Sequence, residues 1–245
     1  KIDKKRGTFY IYCKDKKNKC QIIKSKRVII TCGAIQSVRL LTNSSKKCNL
    51  FYNNNLGKGF IDHTTIIFKK LHIRNRFSFL KLFNTRYLAN GNKISVRISA
   101  SKKYLLKSKQ NISGMIMVDP PKNFLKRLIN LITILLTKDL INFIYRPFGD
   151  VILCFIIEQI SSDDKYLKLN KRGKPYLSWH INQNEVKIVK NFGKLVINNL
   201  KKKKLIFEPG KLPESNVIFS QMHSTNHPMG GAIMHRDFKK SVVNK

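Results

Sequence analysis

Residues 27–31, Arg27-Val28-Ile29-Ile30-Thr31, form a near-continuous apolar run that ends in Cys32-Gly33-Ala34 and passes at once into a helical pattern. Ile35, Val38, Leu40 and Leu41 are the apolar positions of that helix. A strand without polar alternation is one buried on both faces, and such strands belong to α/β sheets covered by helices. The strand–glycine–helix step also offers a helix N-terminus, where a phosphate or a closely approaching backbone is accommodated. Two shorter strand-like runs precede it, at 8–12 and 20–23, joined by turns rich in Lys, Asp and Asn.

Further along, the pattern changes. Alternating runs at 65–69, 93–99 and 112–118 read as strands, and 151–157 as another buried strand ending in Glu158-Gln159. Pro120-Pro121 interrupts them. Residues 123–145 are helical in character and apolar nearly all round, which predicts a helix packed between other elements. Residues 166–169 and 175–179 flank Asn170-Lys171-Arg172-Gly173 as a hairpin. Residues 183–200 carry Val186, Val189, Phe192, Val196 and Leu200 at three- and four-residue spacing, an amphipathic helix. It ends in lysines 201–204, where cations suit a helix C-terminus.

The chain has 245 residues, 42% of them hydrophobic and 25% charged, enough for a sizeable core and too ordinary for wholesale disorder. Its charge is not ordinary: 49 Lys and Arg stand against 13 Asp and Glu, a formal +36. Such an excess points to nucleic acid or an anionic membrane surface. The lysines, however, are scattered among Asn and Ile rather than gathered, as in a chain shaped by AT-rich coding DNA, and no specific nucleic-acid partner is expected. The five cysteines lie far apart without a C-x-x-C pair, which argues against a zinc knuckle or a redox dithiol. Reduced, mostly buried thiols and a cytoplasmic location are the expectation. No secretory leader is recognisable, and the opening Lys1 rather than Met leads to the expectation of a fragment. The greasiest stretch, 128–136, covers less than half of the roughly 20 apolar residues that a bilayer crossing takes.

Two loops carry candidate chemistry. Leu56-Gly57-Lys58-Gly59-Phe60-Ile61-Asp62-His63 is punctuated by glycine and ends in an acid–imidazole pair. His227-Pro228-Met229-Gly230-Gly231 holds an imidazole on a stiff turn. Pro228 fixes its own φ and restricts His227 to extended backbone, while the two glycines admit close approach of another segment. A rigidly presented imidazole suits general-base work, although an ordinary loop histidine has the same local sequence.

Several of these segments, in this order, resemble the glucose–methanol–choline (GMC) oxidoreductases, a family of flavoproteins. Val28-Ile29-Ile30-Thr31-Cys32-Gly33-Ala34-Ile35-Gln36-Ser37-Val38-Arg39-Leu40-Leu41 resembles the family's strand and "A(A/C)GAIxSxRLL" helix. The loop 56–63 resembles "vGrgfxDH", and Glu158-Gln159 with the hairpin ending Leu177-Ser178-Trp179 resembles its "EQ…l.W". His227-Pro228-Met229-Gly230-Gly231 resembles the "HPMGT" turn, and Ser241-Val242-Val243-Asn244 the "gVVD" after it. The resemblance implies an α/β protein: an incomplete Rossmann-like FAD domain within 1–63, a substrate domain with an antiparallel sheet and helices over 64–208, and a return segment over 209–245. It implies FAD as cofactor, with Gly33 and Ala34 against its ADP half and His63 either a structural partner of Asp62 or a residue near the flavin. His227 would be the catalytic base toward an alcohol or sugar, and a further electron acceptor would reoxidise the flavin.

The departures are equally specific. The G-x-G-x-x-G fingerprint and the family's second catalytic residue are absent from the chain, and the Arg expected after the turn is missing from Gly231-Ala232-Ile233-Met234-His235. The chain therefore reads as the middle and late part of such an enzyme, or as a folded, inactive relic of one. The rival from another class is a basic module without catalysis that binds nucleic acid or anionic membranes.

Overall fold

The computed structural model describes residues 1–45, 53–83, 86–87, 92–136, 148–207, 210–234, 236–237 and 241–242. Strands β1 (Ile2–Lys5), β2 (Thr8–Lys14) and β3 (Cys20–Ser25) form an antiparallel meander, followed by helix α1 (Gly33–Ser45). Next come β4 (His63–Leu71), α2 (Arg76–Phe83), β5 (Arg86–Tyr87), β6 (Lys93–Ile94), β7 (Ile98–Ser99), α3 (Lys102–Ser108) and β8 (Ile112–Asp119). After α4 (Phe124–Leu136) the chain continues through β9 (Asp150–Glu158), β10 (Tyr166–Leu169), β11 (Pro175–Ser178), α5 (Gln183–Lys202), α6 (Ser215–Gln221) and β12 (His223–Ser224). The protein is thus of mixed α/β class, and every strand pair among the described residues is antiparallel.

The chain divides into two compact units. The first joins Lys1–Asp62, Ile160–His180 and Asn226–Lys245; the second joins His63–Gln159 and Ile181–Thr225. The second holds a five-stranded sheet in the order β12-β4-β9-β8-β7. Its middle strand β9 buries Val151, Leu153, Phe155 and Ile157, as its near-continuous apolar sequence requires. Helix α5 lays Val186, Val189, Phe192, Val196 and Leu200 into the same core, with the Phe192 and Phe155 rings edge to face at 5.3 Å. Gly193 permits this approach, because a Cβ there would stand 2.2 Å from the Phe68 ring. The helix starts in a reciprocal capping box: the Asn182 side chain accepts the Glu185 N–H, and the Glu185 carboxylate accepts the Asn182 N–H.

Three local expectations are corrected. Residues 27–31 form no strand, and Ile29 is 87% exposed. An apolar run becomes a buried strand only when neighbours pair with it, and the sheet order β1-β2-β3 supplies none. The run 93–99 splits into β6 and β7, which belong to different sheets. The apolar helix expected over 123–145, described as far as Leu136, is not packed between elements: Asn130 and Ile134 are its buried residues, and most of its leucines and isoleucines are exposed.

The thiols are also less buried than expected. Cys20 and Cys32 are exposed, Cys13 is half-buried and Cys154 is buried in β9, while Cys48 lies outside the described residues. Burial pushes the Cys154 thiol up to about 11, so roughly one molecule in a thousand carries its thiolate at pH 8. A thiol-exchange reagent at pH 8 will therefore label Cys20 and Cys32 in the native protein and Cys154 only on unfolding. Peptide mapping of the labelled chain checks this, and equal labelling of Cys154 would contradict its place in the core.

Candidate functional site

The first unit joins residues that stand far apart in sequence. The loop from Asn53 begins with an Asx turn, the Asn53 side chain accepting the Asn55 N–H at 2.8 Å. The Asn53 amide also donates to the Ser241 carbonyl at 2.7 Å. From Gly57 onward the loop runs antiparallel to the histidine turn. The Gly57 N–H donates to the Gly231 carbonyl at 2.6 Å, and Ile61 and Met229 exchange both backbone bonds at 3.0 and 2.8 Å. Asp62 ends this ladder. Its carboxylate is 4% exposed and accepts the His227 backbone N–H at 3.0 Å. A buried carboxylate on a backbone amide makes a charge-assisted hydrogen bond, stronger than a neutral one. It fixes the main chain at His227, which as a residue is exposed.

Glycine is required twice in the turn. Gly230 has φ 83°, and a Cβ there would lie 2.0 Å from the Gly59 carbonyl oxygen. Gly231 has φ 75°, and its Cβ would lie 2.6 Å from the Val38 side chain on α1. Val38, Phe60 and Leu167 form a small core of their own, with Ala34, Ile35, Leu56 and Trp179 packed against it. Helix α1, the glycine loop, the hairpin and the histidine turn therefore share one packing centre.

Gly33 opens α1 at φ 75°, with nothing within 4 Å of where a Cβ would stand. The first turn of the helix carries no acidic residue. The N–H groups of a helix's first turn and its positive dipole end suit an anion. Ala34 is half-buried against the Val38 core. Among the described residues no group of three or more His, Cys, Asp or Glu is placed to hold a metal ion. No helix among them is long and apolar enough to cross a membrane.

His63 belongs to the second unit, at the start of β4 and in register with Glu158 of β9. Its carbonyl accepts both the N–H and the hydroxyl of Thr225, at 3.0 and 3.2 Å. His223 is exposed on β12, and its ring stands 3.0 Å from the Gln221 carbonyl. His180 lies 3.3 Å from Asp164. The Ser162 hydroxyl foremost, with His180 adding to it, holds the Asp164 carboxyl below the usual range. His235 lies outside the described residues.

Two features escape a residue-by-residue reading of motifs. The pairing of Asp62 with the His227 amide spans 165 residues and has no local signal. Glu185, fully buried, had one: Asn182-Gln183-Asn184-Glu185 is a capping-box sequence. Its carboxylate also accepts the Gln159 side-chain amide at 3.2 Å, so this acid is committed to structure. Compared with known proteins, the chain matches no family model and no curated sequence.

Proposed function

We propose that the chain is part of a GMC-type, FAD-dependent oxidoreductase acting on the CH–OH group of an alcohol or sugar, with a Rossmann-like FAD part that includes the first unit. One observation carries this reading. The segments that resemble the family at 33–41, 56–62 and 227–231 converge on Val38 and on the Asp62–His227 bond, although that bond alone joins residues 165 positions apart. Unrelated segments that resembled the family by chance would have no reason to meet. In this reading Gly33 and Ala34 approach the cofactor through their backbone, and His63 serves the second unit. Bound FAD would supply hydride acceptance. His227 would take the hydroxyl proton of the substrate, its main chain held by Asp62 and its position set by the glycine turn.

The test uses the complete translated product of the gene. It is expected to retain flavin through purification, and a panel of primary and secondary alcohols and sugars should include one that bleaches the flavin spectrum. Absence of flavin from that product, even after FAD is supplied, overturns the reading. The 245-residue chain alone is expected to take up FAD weakly, since it holds no G-x-G-x-x-G turn to cradle the diphosphate. Stoichiometric yellow absorbance of the isolated chain would show that α1 and its surroundings suffice.

A further inference from the structure

Helix α4 is docked the wrong way round for a core helix. Its polar side holds it to the second unit: the Asn130 side chain donates to the Phe148 carbonyl at 3.1 Å and accepts the Phe148 N–H at 3.0 Å. The same carbonyl accepts from Arg76 at 3.2 Å, and the Lys126 ammonium stands 5.6 Å from the centre of the Phe148 ring. Arg127 is tied to the Pro121 carbonyl at 2.7 Å. At about 100° per residue, Lys126, Arg127, Asn130, Thr133 and Ile134 fall on this side. The opposite arc is apolar along its whole length, from Phe124, 79% exposed, through Leu128, Ile132 and Leu135 to Leu136, also 79% exposed. A contiguous apolar arc of this extent on a monomer marks an interaction surface.

We propose that α4 is a membrane-surface anchor that lies in the plane of an anionic bilayer with this arc among the acyl chains. The apolar run 128–136 lies between Lys126-Arg127 and Lys138-Asp139, less than half of the roughly 20 apolar residues that a bilayer crossing takes, and suits a helix lying in the interface. Charge selects the occupant. Residues 120–136 contain Lys122, Lys126 and Arg127 and no Asp or Glu, in a chain of formal charge +36. Anionic headgroups attract such a segment, whereas a second copy of the chain would bring an equal positive charge to the same face. The proposal is independent of the oxidoreductase reading.

The experiment is flotation of the 245-residue chain with phosphatidylcholine vesicles containing about 30% phosphatidylserine, compared with a Leu128→Gln, Ile132→Gln, Leu135→Gln variant. These side chains are exposed and the substitutions are neutral, so thermal melting and net charge should stay as they are. The variant is expected to bind at least about tenfold more weakly, with both proteins monomeric by light scattering. Equal binding of the two would leave diffuse charge as the sole attraction and overturn the proposal. So would failure of the unaltered chain to bind, or a dimer that the variant dissociates, which would assign the face to a second copy.

Discussion

Replacing His227 by Ala or Asn is expected to slow flavin reduction by an alcohol at least about a hundredfold in the complete gene product, close to 3 kcal/mol of barrier. Flavin content and fold should be retained. The turn is held through main-chain bonds at Gly57 and Ile61 and through the Asp62 carboxylate on the His227 N–H, none of which needs the imidazole. Rapid mixing of oxidised protein with substrate, followed at the flavin absorbance, measures the step. His223→Ala should cost far less, because that ring rests on the carbonyl of Gln221 at a strand end. His63→Ala should also cost less, since it is the His63 carbonyl that ties β4 to Thr225. If His63→Ala abolishes reduction while His227→Ala barely slows it, the base has been assigned to the wrong loop. If neither matters, the missing Arg beyond the turn has already disabled the site and the chain is a relic.

The largest loss of stability is expected from Gly230→Ala. The left-handed φ of 83° costs a side chain about 1–2 kcal/mol, and a Cβ 2.0 Å from the Gly59 carbonyl oxygen cannot be accommodated without moving main chain. Overpacking of this kind adds roughly 1–3 kcal/mol, for a total of about 2–5. Calorimetry should show the transition of the first unit lowered by on the order of 10 °C, with that of the second unit unchanged. Gly33→Ala is the internal control. Its φ of 75° is similar, yet its Cβ would meet nothing, so backbone strain alone remains. A Gly230→Ala protein that melts like the Gly33→Ala protein would mean that the loop and the turn do not meet as closely as described.

What could be read from the sequence follows a physical division. Strands β8 and β9, the β10–β11 hairpin and helix α5 carry their evidence in local periodicity, because each buries one face or both over consecutive residues. Residues 27–31 have the same local signal and no strand, since pairing is a property of neighbours and not of the run itself. Helices α2, α3 and α6 have only seven or eight residues each, too few turns for a period to stand out among lysines and serines. The orientation of α4 was hidden for another reason. Its apolar content predicts burial, but a single Asn130 bonded to both backbone groups of Phe148 sets which side faces the body. At the candidate site the stiffness of the His227 turn was legible from Pro228 and the glycines. Its attachment to Asp62 was not.

That attachment bears on how the protein is made. The first unit is assembled from Lys1–Asp62, Ile160–His180 and Asn226–Lys245, so its earliest residues leave the ribosome well before their partners exist. At about 5–20 residues per second, the 165 residues from His63 through His227 take on the order of ten seconds or more to synthesise. Throughout that interval the glycine loop and the apolar face of α1 around Val38 await the turn that covers them. Nascent chains stalled before Asn226 should therefore recruit chaperones and yield to proteases within residues 1–62, and emergence of residues 226–245 should end both.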